Sequence, residues 1–371
     1  MSPPLLVFAN TDFNRAVLSK CPALESPYHP TWYLFNGHVH TIVAGRGSPS
    51  PKVKYERQMV PTADGGVVSI DWVVHPTKTY ETNHPTLLIH HGAGGSSRDM
   101  YVRITAKALA AHGWRVVAMN MRGCGNTPLT TPRAANGFHT GDIRDVVAHL
   151  RQSVVPRGSL IGVGFCAGAN GFVKYAGEEG PTCPLTAIVS ISNPYSLVNL
   201  DAILHQSALY RYLYSGMVAS AQKRQFFKDP QSAAQFEPLP HYDVAKIRKA
   251  TTLRELDDLM SRRNEGYDSL ADYYRDASCD QVMTKIRVPV LCISALDDPL
   301  CPPEYIPEDL CLRNEHFILA KTTAGGHLGF LVGDATEMWT SDVIAQYCRA
   351  VAGEQAAIIA EFAIDDEARA A

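Results

Sequence analysis

Covalent acyl chemistry needs an activatable nucleophile, a base, an acid that orients the base, and N–H donors aimed at the developing oxyanion. Residues Gly164-Phe165-Cys166-Ala167-Gly168 fit the nucleophile elbow G-x-S-x-G with cysteine in the serine position. An elbow has to follow a buried strand and open a helix, because the sharp turn between them lifts the nucleophile out of the sheet. Leu160-Ile161-Gly162-Val163 and Ala169–Tyr175 supply that strand and that helix. The competing reading is an inert buried thiol, the usual state of a free cysteine.

An acid and a histidine follow in the order such an elbow requires. Asp297-Asp298-Pro299 begins where the apolar run 288–294 ends, at the carboxyl edge of an expected strand. Asp298 is the expected acid because Pro299 fixes the turn behind it; Asp297 is its structural partner or the fallback. Gly325-Gly326-His327-Leu328-Gly329 comes after the run 317–321 and sets His327 on a glycine-rich loop able to carry an imidazole over Cys166. Upstream, His90-His91-Gly92-Ala93-Gly94-Gly95 ends another apolar run. Its position assigns the oxyanion-hole N–H groups to Ala93 and Ala167. The glycines fit neither G-x-G-x-x-G nor G-x-x-x-x-G-K-[ST], so a nucleotide phosphate is not the expected ligand.

These residues must be positioned by alternating elements. Short apolar runs at 86–90, 115–120, 159–165, 185–192, 288–294 and 317–321 alternate with helical patterns at 101–112, 140–153, 169–179 and 336–351. Such alternation predicts an α/β fold with a mostly parallel, doubly wound sheet. A hairpin is expected from the strand-type runs 53–60 and 67–74 around Asp64-Gly65-Gly66. The divisions expected are an N-terminal arm (1–52), a core in two pieces (53–195 and 284–352), a tail (353–371), and a helical cap inserted at 196–283. The cap is rich in Tyr and Phe, and Tyr195, Tyr210, Tyr214 and Met217 are the expected substrate contacts, although most such rings would form the cap's own core.

The composition fits this picture. The chain has 371 residues, is 46% hydrophobic and 19% charged, and carries a net charge of −3, which gives no electrostatic footprint for nucleic acid. Nine scattered cysteines point to a reducing compartment, here the cytoplasm. Nothing pairs with His38 and His40 at zinc spacing, and no segment is long and apolar enough to span a membrane. No metal or organic cofactor is expected.

The His-Gly loop, the elbow, the Asp-Asp-Pro turn and the late Gly-Gly-His together resemble the α/β-hydrolase signature. Phe35-Asn36-Gly37-His38-Val39-His40-Thr41-Ile42, Asn120-Met121-Arg122-Gly123-Cys124-Gly125 and Thr140-Gly141-Asp142-Ile143-Arg144 are similar to segments of one branch. That branch holds fatty-acid ethyl ester synthase/esterases, embryogenesis-associated hydrolases and phospholipase-like abhydrolase-domain proteins. The resemblance implies an α/β-hydrolase fold with an inserted cap. It also implies ester hydrolysis or alcohol acylation by Cys166, Asp298 and His327, with Arg122 and Asp142 as framework residues.

Cysteine replaces the branch's serine. A cysteine makes a thioester, itself an acyl donor, so an alcohol or amine acceptor is as natural as water. The expected function is acyl transfer on an ester or thioester with an apolar or polyketide-like acyl part. Cyclisation, isomerisation or carbon–carbon bond formation in the same pocket is the alternative. A non-enzymatic small-molecule receptor would not need the three residues in this order.

Overall fold

The computed structural model describes the backbone of residues 2–46 and 50–370 and the side chains of 2–45 and 50–354. Nine strands form the main sheet: β1 (Leu5–Phe8), β2 (Tyr55–Pro61), β3 (Val67–Val73), β4 (Thr86–His90), β5 (Arg115–Asn120), β6 (Leu160–Phe165), β7 (Ala187–Ile191), β8 (Val290–Ala295) and β9 (Phe317–Thr322). Their order is β1-β9-β8-β7-β6-β4-β5-β3-β2. From β5 to β9 the neighbours run parallel, while β1, β3 and β2 add antiparallel edges. This is an α/β-hydrolase fold.

The six parallel strands read as near-continuous apolar runs because helices cover both faces. Leu87, Ile89, Ile161 and Val163 point into one core layer, and Leu88, Leu160 and Ile188 into the other. Chain direction fixes where a site forms. After β4 the chain crosses to β5 on one side, and β6 then pairs with β4 on the other. The loops leaving β4 and β6 therefore meet at a switch in strand order, where open α/β sheets leave a crevice.

The first stretch of chain is more structured than its loop-rich composition implies. β1 pairs with β9, helix Asp12–Ser19 follows, and Val17, Leu18, Leu24 and Tyr28 join the same core layer as Trp339 and Val343 of the closing helix. That closing helix spans Trp339–Ala370. Between β7 and β8, residues 196–283 form helices and turns, including π-helical turns at Tyr210–Ser215 and Asp257–Ser261. Among the described residues no helix is long and apolar enough to cross a membrane.

Candidate active site

Cys166 stands between β6 and helix Ala167–Glu179 with φ +52° and ψ −116°, a backbone conformation rarely adopted by residues with a side chain. Packing imposes it. A Cβ on Gly164 would lie 2.5 Å from Ala169 Cα, and one on Gly168 would lie 2.5 Å from the His90 carbonyl oxygen. Strand and helix can approach this closely only with glycine at both positions, and the intervening turn pushes the half-buried Cys166 side chain outward.

The acid and the histidine come from the ends of β8 and β9. His327 Nδ1 lies 2.9 Å from Asp298 Oδ2. The other carboxylate oxygen, Oδ1, accepts from the N–H groups of Leu300 (2.8 Å) and Cys301 (3.1 Å). Asp298 and His327 are both buried. With Asp298 accepting at Nδ1, the imidazole's other nitrogen, Nε2, is buried and has no hydrogen-bond partner among the described residues. Burial opposes charging His327, but the Asp298 carboxylate and the Cys166 sulfur outweigh it and hold the histidine pKa well above its ordinary value.

Asp297 turns the other way. Its Oδ1 accepts from Gly326 N–H at 2.8 Å and so anchors the histidine loop rather than the imidazole. The Phe35–Ile42 segment braces the same loop. Thr41 Oγ1 accepts from His327 N–H (2.8 Å), His40 Nδ1 bonds the Gly329 carbonyl (2.6 Å), and a Cβ on Gly37 would stand 1.7 Å from the Asp297 carbonyl oxygen. These positioning contacts were not read from the sequence; the motif was visible there, but its target lies 286 residues away along the chain.

In the loop after β4, Gly92 N–H donates to Tyr101 Oη (3.0 Å), whose hydroxyl donates to Asp99 (3.0 Å). The Ala93 and Ala167 N–H groups form no hydrogen bond among the described residues. His90 and His91 lie beneath the loop, and burial lowers both pKa values, that of His90 to about 3. Neutral His91 donates from Nδ1 to the Gly92 carbonyl (2.7 Å) and accepts from Met121 N–H (3.3 Å).

A cavity of about 1070 Å³ opens over this arrangement, lined by Cys166, His327 and Ala93 and by Leu213, Tyr214 and Met217 of the helical segment between β7 and β8. Two expected substrate contacts are elsewhere. Tyr195 lies in the turn after β7 and is buried in the core layer beneath the sheet, against Cys279 and Cys292. Tyr210 packs on Tyr214 with ring centres 5.3 Å apart and lies outside the cavity lining. Tyr212, from the same helical stretch, lines the cavity instead.

Cys301 is the residue whose place the sequence did not signal: its sulfur and ligand atoms of Asp298 and His327 all lie within 4.8 Å of one another. A metal is a poor fit there, because three N–H donors already occupy the Asp298 oxygens, and burial pushes the Cys301 thiol up to about 12. Arg122 and Asp142 form a buried ion pair, with Nε to Oδ2 at 2.9 Å, that ties the loop after β5 to helix Thr140–Ser153 and, through Asp64, to the hairpin turn.

The alpha/beta hydrolase fold family model matches residues 85–334, which include the elbow, the acid and the histidine. The chain belongs to this family. It is similar to embryogenesis-associated protein EMB8 of Picea glauca, 31% identical over 344 residues that cover 90% of this chain and 74% of that protein. It is also similar to phospholipase ABHD3 of Mus musculus (29%; 89% and 79% covered) and to monoacylglycerol lipase ABHD2 of Homo sapiens (27%; 94% and 86% covered).

Proposed function

We propose that this α/β-hydrolase is an acyl-transfer enzyme that cleaves an ester or thioester of an apolar acyl group through Cys166, His327 and Asp298. The observation that carries the reading is the convergence of four strand ends, those of β4, β6, β8 and β9, at one cavity: the elbow thiol, the Asp298-held imidazole with its unpartnered Nε2, and two unused N–H groups. Relatives named as a phospholipase and a monoacylglycerol lipase support an ester substrate.

In the proposed cycle His327 Nε2 holds the proton taken from the thiol. Cys166 Sγ attacks the acyl carbon, and the carbonyl electron pair moves onto an oxygen facing the Ala93 and Ala167 N–H groups. Collapse of this intermediate breaks the bond to the leaving group, which takes the Nε2 proton and departs as alcohol or thiol. Water, an alcohol or an amine then attacks the acyl-cysteine, gives a proton to Nε2, and leaves as acid, ester or amide while the thiolate returns. Asp298 keeps Nδ1 protonated and stabilises the imidazolium in both halves.

The test is turnover of a medium-chain 4-nitrophenyl ester by Cys166→Ala and His327→Ala. Each should lose at least about 10³-fold, since members of such a unit fail together. Near-wild-type turnover by Cys166→Ala would overturn the covalent route. Retention in Cys166→Ala with loss in His327→Ala would point to acid–base chemistry on a bound substrate.

A further inference from the structure

Two consecutive peptides in His91-Gly92-Ala93 spend their polar groups unevenly. In the first, joining His91 to Gly92, the carbonyl accepts from His90 Nδ1–H (3.0 Å) and the Gly92 N–H donates to Tyr101 Oη (3.0 Å). In the second, joining Gly92 to Ala93, the carbonyl accepts from His91 Nδ1–H (2.7 Å) and from Gly95 N–H (3.1 Å). Of these groups the Ala93 N–H alone has no partner among the described residues. A trans peptide is planar, so its N–H points opposite to its carbonyl. Holding the Gly92 carbonyl on one side therefore turns the Ala93 N–H to the other, and Gly92 and Ala93 line the same cavity as Cys166.

The Tyr101 hydroxyl stands one residue's thickness from the nucleophile: a Cβ on Gly92 would lie 3.3 Å from Tyr101 Oη and 3.2 Å from Cys166 Cβ. The Tyr101 ring lies against Phe165, which leads into the elbow, with ring centres 4.9 Å apart. Burial, with Asp99 beside it, pushes the Tyr101 pKa far above its ordinary value, so the hydroxyl keeps its proton. It donates that proton to Asp99 Oδ2 at 3.0 Å. A carboxylate can only accept, so the O–H faces Asp99 and a lone pair is left for the Gly92 N–H. Asp99 itself occupies the N-cap position of helix Met100–Ala111, yet its side chain makes no capping bond to that helix. An N-cap carboxylate ordinarily accepts from the first turn. Here Oδ1 accepts from Ser96 Oγ (3.4 Å) and Oδ2 from Tyr101, and Gly95 leaves the room for it, since a Cβ there would overlap Asp99 Oδ2.

A loop of Gly92, Ala93, Gly94 and Gly95 has little stiffness of its own, and Gly94 sits at φ +67°, so the aim of one N–H has to be fixed by groups outside the loop. We infer that Asp99 and Tyr101 are positioning residues of the oxyanion hole: Asp99 directs the Tyr101 hydroxyl, the hydroxyl holds the Gly92 N–H, and the loop so held aims the Ala93 N–H at the acyl oxygen. This rests on the catalytic reading above and adds to it the pair that sets one of its two donors.

Tyr101→Phe keeps the ring on Phe165 and removes only the hydroxyl. With 4-nitrophenyl decanoate its kcat should fall about tenfold to a hundredfold at KM within about threefold, short of the roughly 10²–10³-fold cost of deleting a whole oxyanion donor. Asp99→Ala should lose about three- to tenfold, and the double variant should be no worse than Tyr101→Phe, because Asp99 acts only through the hydroxyl. Inhibitor selectivity gives the readout that a general loosening of the fold would not. Decyl trifluoromethyl ketone takes the Cys166 sulfur onto its carbonyl carbon while His327 holds the thiol proton, so the carbonyl electron pair becomes an oxyanion in the hole; decyl methyl ketone, far less electrophilic, binds as the free ketone. In Tyr101→Phe, with circular dichroism unchanged, the Ki of the trifluoromethyl ketone should rise by about the factor lost in kcat, and that of the methyl ketone should stay within about twofold.

With an active wild type, an unchanged kcat in Tyr101→Phe, equal weakening of both ketones, or fully additive losses in the double variant overturns the positioning pair and leaves the triad standing. Should Tyr101→Phe fail to fold, Asp99→Ala decides by the same ratio of Ki values. A wild type that neither turns over the ester nor forms the trifluoromethyl ketone adduct on Cys166, read by intact mass, overturns the catalytic reading and the pair with it.

Discussion

Alkylation by iodoacetamide should single out Cys166 among nine cysteines, and its neighbour in exposure, Cys183, sets the scale. These two are the half-buried thiols; the other seven are buried. Burial, aided by Glu179, pushes the Cys183 thiol up to about 11. At pH 7 a thiol at that value is roughly 10⁻⁴ ionised, against roughly 3% for a free cysteine at about 8.5. The ratio of about 300 is offset by the weaker nucleophilicity of the more acidic thiolate, about 13-fold over 2.5 units at a Brønsted slope near 0.45, so Cys183 should react about twentyfold more slowly than a free cysteine. Pairing with an imidazolium raises the selectivity further. The assay is peptide mass spectrometry of timed alkylation between pH 6 and 8, on wild type and His327→Ala. Cys183 should slow about tenfold per unit of acidification, and His327→Ala should remove most of the rate advantage of Cys166 over Cys183. Comparable rates for Cys166 and Cys183 in wild type, or a Cys166 rate indifferent to His327, would refute the pairing.

Three further outcomes follow from the same geometry. Asp298→Asn should lower kcat at least about 10²-fold, because an amide cannot stabilise the imidazolium; Asp297→Asn, whose amide oxygen can still accept from Gly326, should stay within about threefold, and a reversed ranking in ester turnover would assign the acid to Asp297. Thr41→Val removes the bond to His327 N–H and should lower kcat about three- to tenfold at near-constant KM, whereas Gly37→Ala, with its Cβ in the Asp297 carbonyl, should also lower the melting temperature by several degrees. His327 has its pKa raised by folding, so its contribution to stability is complete below the unfolded value of about 6.5 and is lost as pH rises through the folded value; thermal denaturation from pH 6 to 9 should show this loss in wild type and not in His327→Gln.

The parallel strands and the helices between them were legible because burial on both faces writes continuous apolar runs, and the boundaries of Thr86–His90, Arg115–Asn120 and Thr140–Ser153 coincide with the expected ones. Leu5–Phe8 was not legible as a strand, since four apolar residues carry no period until β9 supplies their partner. Helix Gly37–Arg46 was hidden by two glycines and by β-branched Val39, Thr41, Ile42 and Val43, which weaken local preference; contacts with Asp297, His327 and Gly329 set it in place instead. Within the site, spacing pointed to Cys166, Asp298 and His327 because each lies in the turn or loop that follows a strand. The cap residues followed no such rule. Tyr195 and Tyr214 read alike as cap aromatics, yet one is buried beneath the sheet and the other faces the cavity.

The acyl-cysteine itself is the most direct test. Brief incubation with a decanoyl thioester, acid quench and intact-mass measurement should show a wild-type adduct of one decanoyl group, mapped by peptide sequencing to Cys166, labile to hydroxylamine, and absent from Cys166→Ala. Steady turnover with no adduct at any quench time in wild type or Asp298→Asn, or an adduct that persists in Cys166→Ala, would contradict the account.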